Sequence, residues 1–278
     1  MARYVSRHGQ VAAADALVEL TDLGSDGTSL DPITVLPGEK SIKQFWAVPG
    51  NEAATKTACG GPTIYEISGS GVVNGPHYIT GYGYAMIATG NCAFYKIKGP
   101  RVLPVEIGLK AGDIIVKAAC DGTDAGTPNP GYTLAITGQG ARNCRYESRF
   151  ATCTALSTST AMSGTAGGGT KTTISPAGFK KITRIFTSYS NELPLDTAAG
   201  GSCIAKILGG LTAGEFDLVC GAHGSLTTTT GATGGYSLIA DTGPLNLELS
   251  GSPIIMYAEQ TGVDHGTAMP TVTLELSM

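Results

Sequence analysis

The sequence predicts an all-β protein made of two tandem, duplicated β-sandwich (jelly-roll) domains, residues 1–140 and 141–278. Three observations point there. The chain repeats itself: Arg3-Tyr4-Val5-Ser6-Arg7 returns as Arg145-Tyr146-Glu147-Ser148-Arg149, and from residue 36 onward positions 140 apart match with no net gap. Lys40/Lys180, Ile42/Ile182, Asn51/Asn191, Ile67/Ile207, Ile114/Ile254, Asp124/Asp264 and Leu134/Leu274 are examples. One offset kept over so many positions marks a duplication. Short runs rich in β-branched residues, bounded by Gly, Pro and Asn, give the strand-and-turn signature. Helical periodicity is scarce; only Gln10–Leu20 suits a short helix, in competition with a strand.

In the first half the pattern places strands near Ala16–Leu20, Ser41–Val48, Thr63–Ser68, Tyr82–Ala88, Ala93–Lys98, Val102–Leu109, Asp113–Ala119 and Tyr132–Thr137. Their counterparts lie near Lys181–Thr187, Cys203–Leu208, Glu215–Cys220, Tyr236–Ala240, Leu245–Leu249, Ile254–Ala258 and Thr271–Leu276. Val102–Leu109 and Leu245–Leu249 alternate apolar and polar, as half-buried antiparallel strands do. Seven or eight short strands per half suit a sandwich. The boundary falls near Gly138–Gly140. Ser157–Thr173, made of Ser, Thr, Ala and Gly with a few other residues, reads as an extended loop or arm, flexible in isolation. Leu226–Tyr236 is a second loop, unmatched by the segment Ala85–Tyr95, and differing loops are where specialisation is expected.

Composition narrows the function classes. The 278 residues are 42% hydrophobic and only 14% charged, with 40 Gly and a net charge of -4. Few charges suggest uncharged polar surface, or surface buried against other subunits. Mild acidity argues against a nucleic-acid-binding domain. Basic residues cluster at Arg3/Arg7/His8, Arg142/Arg145/Arg149 and Lys180/Lys181/Arg184, the first two at the start of each repeat. These read as strand ends that are solvated or ion-paired, against a phosphate or lipid-headgroup contact. No segment approaches the roughly 18 apolar residues that span a bilayer. The start lacks an apolar core and a cleavage pattern, so a cytoplasmic chain is expected.

The duplication also filters candidate chemistry. Cys59, Cys120, Cys203 and Cys220 face Ala199, Gln260, Thr63 and Thr80 in the other repeat, so no bridge recurs and buried, reduced thiols are expected. His8, His77, His223 and His265 show no ligand spacing and no pairing at offset 140, which speaks against a cupin-like metal enzyme. The segment Asp121–Pro128 superficially resembles a calcium loop, but its Gly-x-Asp-x-Gly-Thr pattern is what a tight turn requires. An ion in the Asp121–Asp124 turn is the lesser reading. Ser68-Gly69-Ser70-Gly71 and Gly200-Gly201-Ser202 lack the context of a nucleophile elbow, and no phosphate-binding loop is written in the chain. Asn51-Glu52 and Asn191-Glu192 recur and read as turn or inter-repeat contacts. Trp46 and Phe186 read as core aromatics ahead of a sugar platform. The expectation is therefore a non-enzyme with no cofactor and no metal.

The offset-140 repeat, the all-β pattern and the missing catalytic constellation together resemble the double jelly-roll major capsid proteins of tailless icosahedral DNA viruses, the lineage of adenovirus, tectiviruses and corticovirus. The resemblance covers the whole chain and rests on architecture; no single motif is diagnostic, and the chain is short for the lineage. It implies a structural protein whose three copies form a pseudo-hexameric capsomer that tiles an icosahedral shell, assembled in the host cytoplasm and located in the virion capsid. Its implied partners are other copies of itself, further capsid proteins such as a vertex protein, and an internal membrane, with no specific nucleic-acid sequence. Arg3, Arg7, Arg145 and Arg149 would then be candidate membrane- or genome-facing residues. The alternative is a tandem β-sandwich binding module, a lectin, adhesin or receptor-binding head.

Overall fold

A computed structural model describes residues 1–11, 16–23, 28–29, 32–48, 60–81, 84–85, 102–121, 129–191, 200–224, 238–261 and 268–278. The chain is all-β, and no helix occurs among the described residues. The first half supplies β1 (Arg3–His8), β2 (Val18–Glu19), β3 (Ser41–Val48), β4 (Thr63–Ser68), β5 (His77–Thr80), β6 (Val102–Gly108), β7 (Asp113–Cys120) and β8 (Gly131–Thr137). The second supplies β9 (Cys144–Phe150), β10 (Thr160–Ala161), β11 (Lys181–Asn191), β12 (Gly200–Gly209), β13 (Phe216–Gly224), β14 (Leu238–Asp241), β15 (Leu247–Glu248), β16 (Ile255–Gln260) and β17 (Ala268–Ser277).

All pairings are antiparallel except one isolated parallel bridge, and each joins strands from the same side of residue 140 among the described residues. In the first half one sheet runs β6-β3-β8-β1, extended by the short pieces Asp22–Leu23 and Thr28–Ser29, and the other runs β2-β7-β4-β5. The second half repeats this order. β9, β17 and β11 lie side by side, with β14 and β15 together in the place of β6, and β10-β16-β12-β13 form the facing sheet. Even an irregularity is copied. Between β3 and β8 the register skips Lys43, and between β11 and β17 it skips Thr183, 140 positions on. A bulge turns its extra residue out of the ladder, and both of these side chains reach carboxylates described below.

Alternation explains the burial. Along β6 every second residue is buried, so Leu103, Val105 and Ile107 face inward. They meet Phe45, Leu134 and Ile136 of the same sheet and Ile67, Ile79, Ile114 and Val116 of the facing one. Phe45 and Tyr65 bridge the layers edge to face, centroids 5.0 Å apart. The second core gathers Ile182, Ile185, Leu274 and Leu276 against Ala205, Ile207, Met256 and Ala258.

Several expectations need correction. The described part of Gln10–Leu20 contains strand and no helix. Ser157–Thr173 is not an unpaired arm: Thr160–Ala161 pairs with β16, and Gly164–Thr165 pairs with both β9 and Gly169–Thr170. It is the second repeat's version of Val18–Glu19, Asp22–Leu23 and Thr28–Ser29, and small residues hid its strand pattern. β1, β5 and β9 carry too few apolar residues to stand out as strands. Asn51-Glu52, Glu192, Cys59, Cys92, Gly122–Pro128, His265, all of Leu226–Tyr236 and all of Ala85–Tyr95 but Ala85 lie outside the described residues.

Candidate assembly interface

The recurring Arg-Tyr-x-Ser-Arg motif occupies β1 and β9, and its side chains make the same contacts twice. Arg3 donates through Nη2 to the Thr34 carbonyl at 2.9 Å, and Arg145 does so to the Ser175 carbonyl at 2.7 Å, the matching position. Each pins the chain that leads into β3 or β11. Arg7 and Arg149 both turn back on the preceding carbonyl, of Ser6 (2.8 Å) and Ser148 (2.7 Å). Ser6 Oγ lies 2.8 Å from Thr133 Oγ1, and Ser148 Oγ lies 2.6 Å from Thr273 Oγ1. Tyr4 packs on Trp46, centroids 5.7 Å apart, and Tyr146 stacks on Phe186 at 6.2 Å. Trp46 thus lies on the outer face of its sheet beside an exposed tyrosine and is not the core anchor its pattern suggested; Phe45 takes that place.

The two copies of this outer face differ in what covers them. In the second half Tyr146, Ser148, Phe186, Ser188 and Thr273 are buried to 1% exposure or less, beneath β5 of the first half. β5 is the edge of its sheet, and its outward backbone groups find side chains there. Thr80 N–H donates to Thr273 Oγ1 (2.9 Å), the Tyr78 carbonyl accepts from Ser148 Oγ (2.8 Å), and Thr80 Oγ1 meets Ser188 Oγ. His77 fits the same seam. Its Nδ1 accepts the Tyr146 N–H at 3.3 Å, so Nε2 carries the proton and donates to the Val73 carbonyl at 2.9 Å. Burial pulls its pKa down to about 4, with Arg145 adding to the shift and the Val73 bond opposing it.

Glu275 anchors the other end of the seam at 1% exposure. It accepts from Tyr146 Oη (2.5 Å), from Arg142 (2.8 Å) and from Oγ1 of the bulged Thr183 (2.6 Å). Tyr146 Oη in turn accepts the Glu106 N–H of β6 at 2.8 Å. Burial raises the Tyr146 phenol well above its ordinary value, and Cys144 and Glu275 add to this, so it remains a donor. The bulged Lys43 reaches the Glu106 carboxylate at 2.5 Å. His77, Thr80, Tyr146, Ser148, Thr273 and Glu275 all have hydrogen-bond partners in the seam, as burial demands.

No family model, curated protein or solved structure matches the chain. The geometry therefore carries the reading alone.

A cleft of about 390 Å³ opens beside the seam, lined by Arg145, Glu147, Arg149 and Lys171 with Tyr78 from the first half. Glu147 stands where the first repeat has the core residue Val5. It is bracketed by Arg145 (3.2 Å) and Arg149 (3.3 Å). Arg149 is 5% exposed, and its other contacts are the carbonyls of Ser148, Lys171 and Thr173. Burial lowers its pKa while Glu147 opposes the shift. Burial also raises the Tyr78 phenol, to about 12, with Glu66 contributing. Arg3 forms a two-pronged pair with Glu39, both contacts 2.7 Å. Three of the four basic residues singled out in the sequence are therefore occupied in holding their own halves together, and Arg7 makes a single carbonyl bond of this kind.

Cys120, Cys144, Cys153, Cys203 and Cys220 are buried free thiols. Burial pushes Cys120 and Cys144 up to about 12, which makes both unreactive as thiolates. No group of three metal-ligating side chains occurs among the described residues, and no helix there is long and apolar enough to cross a membrane. Sequence reasoning found the motif but missed Glu275 and His77. Neither recurs at offset 140, where Ala135 and Asp217 stand, so a filter built on recurrence discards them.

Proposed function

We propose that the chain is a self-assembling structural protein, a viral major capsid protein whose three copies form a pseudo-hexameric capsomer. The strand order supports this reading: β6-β3-β8-β1 over β2-β7-β4-β5, met again in the second half, is the order of an eight-stranded jelly roll. The observation that carries it is the reuse of one outer face. The second half closes that face against the first, while the first half leaves its own copy open. A chain with two similar units and one unused contact surface suits a closed ring of copies. The buried, unreactive thiols of the interior fit a protein whose product is shape. The contacts already made by Arg3, Arg145 and Arg149 favour a structural role for them over a membrane- or genome-facing one.

Size-exclusion chromatography with multi-angle scattering, followed by electron microscopy of the peak, tests the reading. A stable trimer that tiles into sheets or shells is expected. A chain that stays monomeric at every concentration and yields no assemblies would overturn it. The exposed Tyr4–Trp46 pair gives the binding-module reading one concrete observation, because stacked aromatics are what a sugar-binding face offers. A glycan array checks it, and retention of a defined glycan by a monomeric chain would decide for it.

A further inference from the structure

We infer that the open face of the first half, around Tyr4, Ser6, Trp46 and Thr133, receives the edge strand β13 of a second copy of this chain, head to tail. The inference rests on the self-assembly reading above and names the two surfaces that meet. The chain's own internal contact identifies the occupant. In that contact the edge strand β5 lies on Tyr146, Ser148, Phe186 and Thr273. The counterpart of β5 is the start of β13. The pairing registers fix the correspondence: Ile67 opposes His77 and Ile207 opposes Phe216, while Ile64 opposes Thr80 and Ile204 opposes Val219. β13, like β5, is the edge of its sheet.

Both surfaces are open where their counterparts are closed. Tyr4 is 62% exposed against 0% for Tyr146, and Val219 is 61% exposed against 0% for Thr80. Asp217 is exposed as well. The receiving hydroxyls are already set, because Ser6 and Thr133 hold each other as Ser148 and Thr273 do. By the same geometry Ser6 Oγ donates to the Asp217 carbonyl of the second copy, and Thr133 Oγ1 accepts its Val219 N–H. Edge backbone and a half-exposed aromatic pair would then both be covered.

The substitutions between repeats add charge complementarity. Inside the chain Tyr78 and Arg149 line one cleft and sense each other electrostatically. Their counterparts are Asp217 and Arg7. A neutral neighbour of arginine within the chain thus becomes an acidic one between chains, where a partner must be found by diffusion and steering by charge raises the rate of encounter. The contact is heterologous, because one surface is never its own partner, so repetition closes into a ring or runs on as a filament.

The test is a charge swap read by sedimentation velocity and mass photometry, with circular dichroism to confirm that each variant folds. R7D and D217R singly should each weaken association at least tenfold, and the R7D/D217R double variant should recover most of it. Y4E blocks only the receiving face and V219R only the inserted strand. Each alone should fail to form rings, and an equimolar mixture should give a species of twice the chain mass and nothing larger. If the unaltered chain assembles while the two charge variants leave assembly unchanged, or the double variant fails to recover it, this contact is overturned and the shell reading stands. If the unaltered chain never associates, both are overturned.

Discussion

The outer faces of the β6-β3-β8-β1 sheet and of the β9-β17-β11 sheet are built from one plan and meet opposite fates. Each presents a tyrosine, a paired serine and threonine, and a second aromatic ring, held by the same strand pairings. In the second half Tyr146 and Phe186 are fully buried, and in the first half Tyr4 lies open beside Trp46. The frame is common to both; the difference lies in what was added around it. Glu275, where the first half has Ala135, lets Arg142, Tyr146 and Thr183 converge on one buried carboxylate. His77 and Thr80, where the second half has Phe216 and Val219, give the inserted strand the hydrogen-bonding groups that a permanently buried seam requires. The closed contact carries groups that hydrogen-bond on burial, while its open twin carries Val219 and Asp217, both exposed.

Breaking the closed face should show the largest effect. Tyr146→Ala should cost about 4 kcal/mol, the usual loss for a buried aromatic ring, whereas Tyr4→Ala should cost under about 0.5 kcal/mol, as surface changes do. Urea unfolding at a dilution where chains stay separate compares the two. Equal losses would show that the faces are not used differently. His77 gives the seam a pH dependence next in size. Its folded pKa, about 4, lies below the ordinary 6.5, so the unfolded chain binds more protons between these values. The stability from neutral His77 is therefore complete above about pH 6.5 and is lost as pH falls towards 4, amounting to about 3 kcal/mol. Melting temperatures across this range, compared with a His77→Gln variant, should show the slope flatten. A slope that persists in the variant would assign it to other groups.

Glu147→Val, which writes the first repeat's residue into the second, should cost about 2 kcal/mol, because Arg149 then stays buried without its carboxylate and keeps only carbonyl partners. The reciprocal Val5→Glu places an acid between Arg3, already paired with Glu39, and Arg7. If Glu147→Val proves neutral, the three carbonyls around Arg149 suffice and the cleft's carboxylate has another reason to be there.

The sequence made the duplication, the strand class and most of β3, β4, β6, β7 and β8 legible, because buried alternation and the offset both survive in one chain. β1, β5 and β9 were not legible. Their residues face a seam, cap a sandwich end or carry a motif, so they alternate polar with polar and leave no apolar period. The motif itself looked like a basic surface because arginines at strand starts usually are. Only the structure shows that Arg3 and Arg145 spend a guanidinium proton on the chain leading into β3 and β11. The seam drew residues from His77 to Glu275, far apart in the chain, and those that distinguish it, His77, Thr80 and Glu275, have no like residue in the other repeat, so no local pattern could have joined them.

The smallest predicted effect separates the two arginine clamps most finely. Arg3 grips Glu39 with a fork, Nε and Nη2 each 2.7 Å from an oxygen, and still reaches the Thr34 carbonyl. Arg145 has its carboxylate at 3.2 Å through Nε alone and rests over the Phe179 ring, 5.4 Å from its centroid. Lysine cannot reproduce a fork, though it can keep a charge near a ring. Arg3→Lys should therefore cost under about 1 kcal/mol at neutral pH, as partly exposed pairs do, and Arg145→Lys less. The pH response identifies the cause. Burial alone would raise the Glu39 pKa, yet the bonds from Arg3 and the Leu36 N–H hold it below the usual carboxylate value. A depressed acid contributes stability above its unfolded pKa and loses it as pH falls through the folded one. The gap between Arg3→Lys and the unaltered chain should accordingly be widest at neutral pH and shrink as the solution becomes acid, measured by thermal melts in matched buffers. A gap that stays constant with pH would place the loss in the Thr34 carbonyl bond, which both repeats share, and would make the two clamps equivalent after all.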